Sequence, residues 1–259
     1  MSTDIQGLAA RLLNAVETRT ATTPLTNEVP DLSVEDAYRI QDAVVQARID
    51  SGLPMVAAKL GLTSEAKQRQ MNVSEPLYGR LTSDMLVDTG QPLHVDRYIQ
   101  PRCEPEIAFL LGKDLEGPHV SAAHVLDATS LVLGAIDILD SRFAGYSFKH
   151  PDVVADNASC AGFTIGPVGL DPKGLDLRLV SVSLEHNGRR VHTASGAAVM
   201  GHPAASVAWM VRALAKRGMG LRAGQIVLSG SLTEAVAVKP GDVVTARFSG
   251  LGTIEVPCI

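Results

Sequence analysis

The spacing of apolar residues divides the chain into a helical first part and a strand-rich remainder. Apolar positions recur every three to four residues over about 5–20 and 33–51, which predicts two amphipathic helices. Ser33, followed by acidic residues, is a suitable N-cap, and the Gly-Leu-Pro sequence at 52–54 ends the second helix. The apolar run 55–60 predicts a strand, and residues 63–70 predict another helix.

Beyond about residue 76, short apolar runs alternate with glycine and proline, as in a β-rich domain. Asn187-Gly188 predicts a hairpin turn, residues 239–242 predict another turn, and helices are expected over 122–129 and 203–218. Helices precede most strands without a βαβ alternation, so we expect an α+β fold, with a helical N-terminal region at 1–75 and a β-rich catalytic domain at 76–259. The predicted strands are 106–111, 131–139, 162–165, 177–185, 225–228, 243–248 and 253–256.

Composition excludes several classes of function. The 259 residues are 46% hydrophobic, which is enough for a sizeable core, and the net charge of -5 comes without a Lys/Arg-rich block, so no nucleic-acid partner is expected. No apolar run of 18 residues predicts a membrane span, and the first residues do not resemble a signal peptide. Three widely spaced cysteines without a CxxC motif indicate packing roles and a reducing, cytoplasmic location.

Glu104 and Glu106 are the first candidates for chemistry. They lie two residues apart at the start of an apolar strand, so both carboxylates project from the same face. Two carboxylates buried side by side repel each other unless a cation neutralises them, and oxygen ligands suit Mg²⁺ or Mn²⁺. A solvated strand edge is the alternative explanation for an isolated pair of this kind.

Asp137 is the third candidate because it stands alone in the apolar run 131–139. A buried carboxylate needs a cation or several hydrogen-bond donors, and a helix terminus or an arginine could satisfy it as well as a metal ion. Asp140 faces the opposite side of the strand by parity, so Asp137 is the better third ligand. Asp140 and Arg142 are expected to form a local ion pair.

Further candidates have weaker local signals. Lys59 follows an apolar run and precedes a glycine turn, which is compatible with partial burial and a pKa lowered toward a catalytic range; extension into solvent is the alternative. Gly230 lies in a loop of small residues whose amides could hold a carboxylate, although an ordinary turn explains it equally well. The polar sequence at 156–159 is compatible with a turn or cap.

These features belong to a recognisable set of motifs, in order along nearly the whole chain. The chain resembles the fumarylacetoacetate hydrolase superfamily, in the branch that contains 4-oxalocrotonate decarboxylases and 2-hydroxypenta-2,4-dienoate hydratases. The matching stretches are KLGLTS at 59–64, EPLYG at 75–79, PRCEPEI at 101–107, DILDSR at 137–142, VADNAS at 154–159, GHP at 201–203 and GLG at 250–252.

The resemblance implies a mixed β core of the family's barrel or roll type after a small helical N-terminal region. It also implies Mg²⁺ or Mn²⁺ bound by Glu104, Glu106 and Asp137, where Asp137 departs from the glutamate usual in the branch. Lys59 matches the family's active-site lysine. The substrate-contacting positions implied by the resemblance are Leu62, Ser159, Gly230 and Thr233.

The resemblance implies a lyase acting on a small 2-oxo acid. Hydratases of the branch carry Asp in the middle of the EPLYG-like motif, where this chain has Leu77, so decarboxylation of 2-oxo-3-hexenedioate is favoured over hydration of 2-hydroxypenta-2,4-dienoate. Phe143 and the stretch 196–204 also resemble decarboxylases. A weakly active partner subunit of a decarboxylase–hydratase complex is a third reading, and a C–C bond hydrolase ranks last. A homo-oligomer is expected.

Overall fold

The computed structural model describes residues 3–64, 68–69, 73 and 75–259. Its main helices are α1 (Ile5–Thr18), α2 (Val34–Asp50), α3 (Ala122–Ala128), α4 (His150–Ala155) and α5 (Pro203–Ala215). The Ser33 side chain accepts a hydrogen bond from the Asp36 amide, which confirms the predicted start of α2. The helix expected over 63–70 lies largely outside the described residues.

Among the described helices, none combines the length and the apolar character needed to cross a bilayer.

The larger of two sheets carries the candidate residues. Its hydrogen-bonded order is β2-β1-β8-β3-β4-β5, and β9 pairs with β3. All neighbours in this order are antiparallel except β1 and β8, which run parallel. The strands are β1 (Met55–Gly61), β2 (Leu77–Thr82), β3 (Arg102–Leu111), β4 (Thr129–Leu139), β5 (Cys160–Leu170), β8 (Ile226–Ser231) and β9 (Val236–Ala237).

The smaller sheet has the order β11-β10-β6-β7. Its strands are β6 (Ser181–His186), β7 (Arg189–Ser195), β10 (Val243–Phe248) and β11 (Gly252–Pro257), and the predicted turn at Asn187-Gly188 joins β6 to β7. The described strands therefore form two packed sheets in a mixed α+β fold, and their pairing order is not that of a closed barrel.

The strand predicted over 177–185 was wrong in its first half, because the strand begins only at Ser181. The Asp176 side chain accepts a hydrogen bond from the Arg178 amide, and the Asp176 carbonyl accepts one from Leu179. This local turn uses the backbone groups that a strand would need for pairing, so turn chemistry overrides the apolar pattern.

The two faces of the larger sheet pack against different partners. One face contacts the smaller sheet and α5, and the other contacts α1, α2 and α4. Gln41 ties α2 to this second face, since its buried amide donates hydrogen bonds to the carbonyls of Tyr78 and Val154. The apolar residues of the second face include Ala57, Ala108, Ala135 and Leu228, which lie beside the candidate site.

We predict that Gly134→Ala destabilises the protein by about 1–3 kcal/mol, because overpacking a core at this scale has that cost. A Cβ at Gly134 would lie 2.7 Å from the ring of Phe248, where the two sheets meet. Denaturant unfolding measures the loss, and adding Phe248→Leu should recover part of it. The exposed change Thr193→Ala serves as control, and a Gly134→Ala protein as stable as this control would contradict the packing argument.

Candidate metal and substrate site

Three buried carboxylates meet on one face of the larger sheet. Glu104 on β3 lies directly opposite Asp137 on β4 in the antiparallel register, and Glu106 lies on the same face as Glu104. One carboxylate oxygen from each residue can be chosen so that all three lie within 4.8 Å of one another. The side chains of Glu106 and Asp137 are fully buried, and Glu104 is 6% exposed, which excludes a solvated strand edge.

Lys59 reaches this cluster from a distant strand. In the sheet order β8 and β3 stand between β1 and β4, so a flat sheet would separate β1 from β4 by about 14 Å. The Lys59 Nζ nevertheless lies 2.7 Å from Asp137 Oδ2. The sheet must therefore curve around the site, with Lys59 and the carboxylates on its concave face.

Lys59 is buried, with 1% of its surface exposed, so the alternative of a solvent-exposed lysine was wrong. The expected lowering of its pKa was also wrong. Burial by itself lowers the pKa of this ammonium, but the negative charges of Asp137 and Glu104 and the hydrogen bond to Asp137 outweigh burial and raise it. These effects favour the charged form of Lys59 beside the carboxylates.

Glu106 is held by the backbone of β8. The Gly230 amide donates a hydrogen bond to Glu106 Oε2 over 2.6 Å, whereas Glu106 Oε1 has no hydrogen-bond partner. Burial, followed by the charges of Asp137 and Glu104, raises the pKa of Glu106 well above its usual value. An ionised Glu106 thus needs another positive charge close by.

Gly230 is a position that requires glycine. Its φ of +111° is unfavourable for other residues, and an added Cβ would lie 2.3 Å from Thr63 Oγ1. Together with its hydrogen bond to Glu106, these features make Gly230 a residue that orients a carboxylate. Gly230 is not among the residues that line the adjacent cavity.

The donor set fits a hard divalent cation. It consists of three buried carboxylates, of which Asp137 pairs with Lys59 and Glu106 keeps one oxygen without a hydrogen-bond partner. Oxygens around one Mg²⁺ or Ca²⁺ ion are typically about 3–5 Å apart, similar to the spacing here. The buried, unpartnered Glu106 Oε1 is the kind of atom that such an ion would satisfy.

A cavity of about 670 Å³ opens directly above this cluster. Its lining includes the charged residues Lys59 and Glu104 together with Leu62, Ser159 and Thr233. Of the eight residues singled out from the sequence, five therefore contact this cavity, while Glu106, Asp137 and Gly230 lie behind its surface. The volume is suitable for a small organic acid.

The wall at 156–159 is fixed by an ion pair that the sequence did not indicate. Arg142 pairs with the buried carboxylate of Asp156, so the expected ion pair between Arg142 and Asp140 was wrong. Asp140 instead accepts hydrogen bonds from the amides of Ile99 and Gln100. The Arg142–Asp156 pair supports a tight turn in which Asn157, Ala158 and Ser159 all have positive φ.

Three further cavity residues, Arg102, Tyr146 and Phe148, were not singled out from the sequence as site residues. Arg102 shares the face of Glu104 because it lies two residues earlier on β3. The alternation of side chains along a strand could therefore have identified it. Tyr146 and Phe148 come from the loop after β4, and no local pattern relates them to β3.

We predict that the Glu106→Gln variant is more stable to heat than the wild type without Mg²⁺ and less stable than the wild type with Mg²⁺. With a chelator present, the variant should be more stable than the wild type, because one of three mutually repelling buried charges is removed. With excess Mg²⁺ the wild type should gain stability from binding and the variant should gain much less. Differential scanning calorimetry measures the unfolding temperatures of both proteins under both conditions.

The matched control is Glu255→Gln, an exposed change on β11 that should follow the wild type under both conditions. An equal gain with Mg²⁺ for the wild type and Glu106→Gln would contradict cation binding at this cluster.

Comparison with known proteins identifies relatives over nearly the whole chain. The family described as fumarylacetoacetate (FAA) hydrolase C-terminal matches residues 49–258. A 2-keto-4-pentenoate hydratase of Paraburkholderia xenovorans (strain LB400) is 40% identical over 247 residues, which are 95% of this chain and 92% of that protein. A 4-oxalocrotonate decarboxylase of Pseudomonas sp. (strain CF600) is 39% identical over 231 residues, 89% of this chain and 88% of that protein.

A solved 4-oxalocrotonate decarboxylase from Pseudomonas putida G7, complexed with magnesium and adipate, has a TM-score of 0.97 and 35% identity. The match covers 100% of this chain and 99% of that one. The same enzyme has also been solved with calcium and acetate. The relatives are decarboxylases and hydratases, both of which are lyases. The chain is an enzyme of the lyase class, and it belongs to the fumarylacetoacetate hydrolase family.

Proposed function

We propose that this chain decarboxylates 2-oxo-3-hexenedioate (4-oxalocrotonate) to 2-hydroxypenta-2,4-dienoate and CO₂, using Mg²⁺ or Mn²⁺. The proposal rests on the buried group of Glu104, Glu106 and Asp137, next to Lys59, beside a cavity of suitable size for a small acid. A 2-oxo acid has a carboxylate and a carbonyl oxygen side by side, which suits a site built to hold a hard cation.

The chemistry requires stabilisation of negative charge at the 2-oxo end of the substrate. The C5–C6 bond breaks and C6 leaves as CO₂. Its electron pair forms the C4–C5 double bond, the C3–C4 double bond moves to C2–C3, and the C2 oxygen becomes an enolate oxygen. One proton on this oxygen completes the dienol product.

Glu104, Glu106 and Asp137 would hold the cation, which when bound supplies the positive charge that stabilises the developing enolate. Gly230 orients Glu106 through its amide, and the Lys59 ammonium fixes Asp137. Because Lys59 also lines the cavity, its charge can stabilise the oxyanion or deliver the proton that the enolate oxygen takes up.

Hydration of 2-hydroxypenta-2,4-dienoate is the alternative within the same site. Relatives of both kinds are about equally similar in sequence, so identity alone does not separate the two reactions. Leu77 supports decarboxylation, because it lines the cavity where the resemblance places the aspartate of hydratases. Of the described cavity-lining residues, only Glu104 and Glu234 are carboxylates, and Glu234 is exposed.

Leu62, Ser159 and Thr233 are proposed substrate contacts because they line this cavity. Gly230 is proposed to act by holding Glu106. The homo-oligomer, the association with a decarboxylase or hydratase partner, the cytoplasmic location and the division into residues 1–75 and 76–259 stay predictions of the sequence.

The direct test supplies purified, Mg²⁺-loaded protein with each substrate in turn. We expect CO₂ release and dienol absorbance from 2-oxo-3-hexenedioate, and little water addition to 2-hydroxypenta-2,4-dienoate. A chelator should abolish CO₂ release, and Mg²⁺ should restore it. Efficient hydration without decarboxylation would replace this proposal with the alternative, and activity that appears only on mixing with a partner enzyme would identify a partner subunit.

We predict that Lys59→Met lowers kcat for decarboxylation by about 10²–10⁴-fold, the usual range for removing a positioned acid–base group. Methionine keeps an unbranched apolar side chain, so the loss reports the missing charge. Thermal unfolding verifies folding, Lys59→Arg provides a folded variant that keeps the charge, and exposed Lys113→Met is the control. A Lys59→Met enzyme within threefold of wild-type kcat would exclude the proposed role.

A further inference from the structure

Arg102 is a second cation that lines the same cavity. It lies on β3 two residues before Glu104, so its side chain projects from the face that carries the carboxylates, about 7 Å along the strand. Both residues line the cavity. The cavity is therefore lined both by Glu104 of the candidate cation site and by the positive charge of Arg102.

The Arg102 guanidinium has no carboxylate partner among the described residues. Arg48, Arg80, Arg142 and Arg217, which are also half-buried or buried, each pair with an aspartate or glutamate. The half-buried Arg212 donates to the Val120 carbonyl. Arg102 instead stacks on an aromatic ring, with its Cζ 3.9 Å from the ring centroid of Tyr146. Its N–H groups thus remain available to a ligand.

The ring under Arg102 is held in place. The Tyr146 hydroxyl donates a hydrogen bond to the Gln100 carbonyl, and the Gln100 side chain in turn donates to the carbonyls of Ser141 and Phe143. Phe148 lies against Tyr146 with ring centroids 6.4 Å apart. A guanidinium stacked on a fixed ring keeps its planar fork oriented, which is the geometry for a bidentate carboxylate.

We infer that Arg102, supported by Tyr146, binds the distal carboxylate of the substrate and makes the site selective for dicarboxylic over monocarboxylic acids. This inference rests on the proposed function and names its specificity residue. The spacing of about 7 Å between the positions of Glu104 and Arg102 along the strand is of the same order as the length of a six-carbon diacid.

The chemistry of decarboxylation gives this contact a defined energetic role. The distal carboxylate loses its charge as CO₂ forms, so its pairing with Arg102 is stronger in the bound substrate than in the transition state. An interaction of this kind contributes to KM and does not raise kcat. The product has no distal carboxylate, so Arg102 binds the substrate and releases the product.

The test measures binding of adipate and hexanoate to the Mg²⁺-loaded protein by calorimetry. These six-carbon acids differ only in the distal carboxylate. Wild type should bind adipate at least about tenfold more tightly, and Arg102→Gln should lose about 10–100-fold in adipate affinity, the usual effect of a hydrogen bond to a charged group, without a change for hexanoate. Arg102→Lys should show an intermediate loss, and exposed Arg189→Gln should match the wild type.

Kinetics provide the second readout. Arg102→Gln should raise KM for 2-oxo-3-hexenedioate about 10–100-fold and should not lower kcat, because the contact weakens as CO₂ forms. If the wild type decarboxylates this substrate but Arg102→Gln and Arg102→Lys keep the full preference for adipate, the inference is wrong and the proposed function stands. If the wild type neither decarboxylates nor binds adipate, the proposed function itself fails.

Discussion

The architecture around the site is governed by the burial of three carboxylates close to one another beside Lys59. Charges of one sign in a low-dielectric interior repel strongly, and although Lys59 pairs with Asp137, the buried Glu106 keeps an oxygen without a hydrogen-bond partner. If these residues contributed only to stability, apolar residues of similar volume could replace them without loss of stability. The arrangement is therefore best understood as a place prepared for a further positive charge.

Several features of the fold serve to hold this cluster together. The β3–β4 register places Glu104 opposite Asp137, the positive φ of Gly230 directs its amide at Glu106, and the curved sheet brings Lys59 across two intervening strands. The helices α1, α2 and α4 pack against this same face. The cluster is thus shielded from water except where the cavity opens, which strengthens every electrostatic interaction within it.

Features that depend on strand periodicity could be predicted from the sequence. The common face of Glu104 and Glu106, and the opposite direction of Asp140, follow from alternation along one strand. The contact of Lys59 with Asp137 could not be predicted, because it depends on the curvature of four strands. The partner of Arg142 was predicted wrongly for a related reason: Asp156 approaches it through a turn of consecutive positive-φ residues, which no local preference favours. The division into two sheets likewise arises from long-range pairing.

We propose that Glu104, Glu106 and Asp137 together hold one divalent cation. Anomalous X-ray diffraction from crystals grown with Mn²⁺ tests it most directly. We expect a single strong anomalous peak within about 2.0–2.4 Å of one oxygen from each of the three carboxylates. Crystals in which Mn²⁺ binds elsewhere, while the three carboxylates stay together without an ion between them, would rule out cation binding by this cluster.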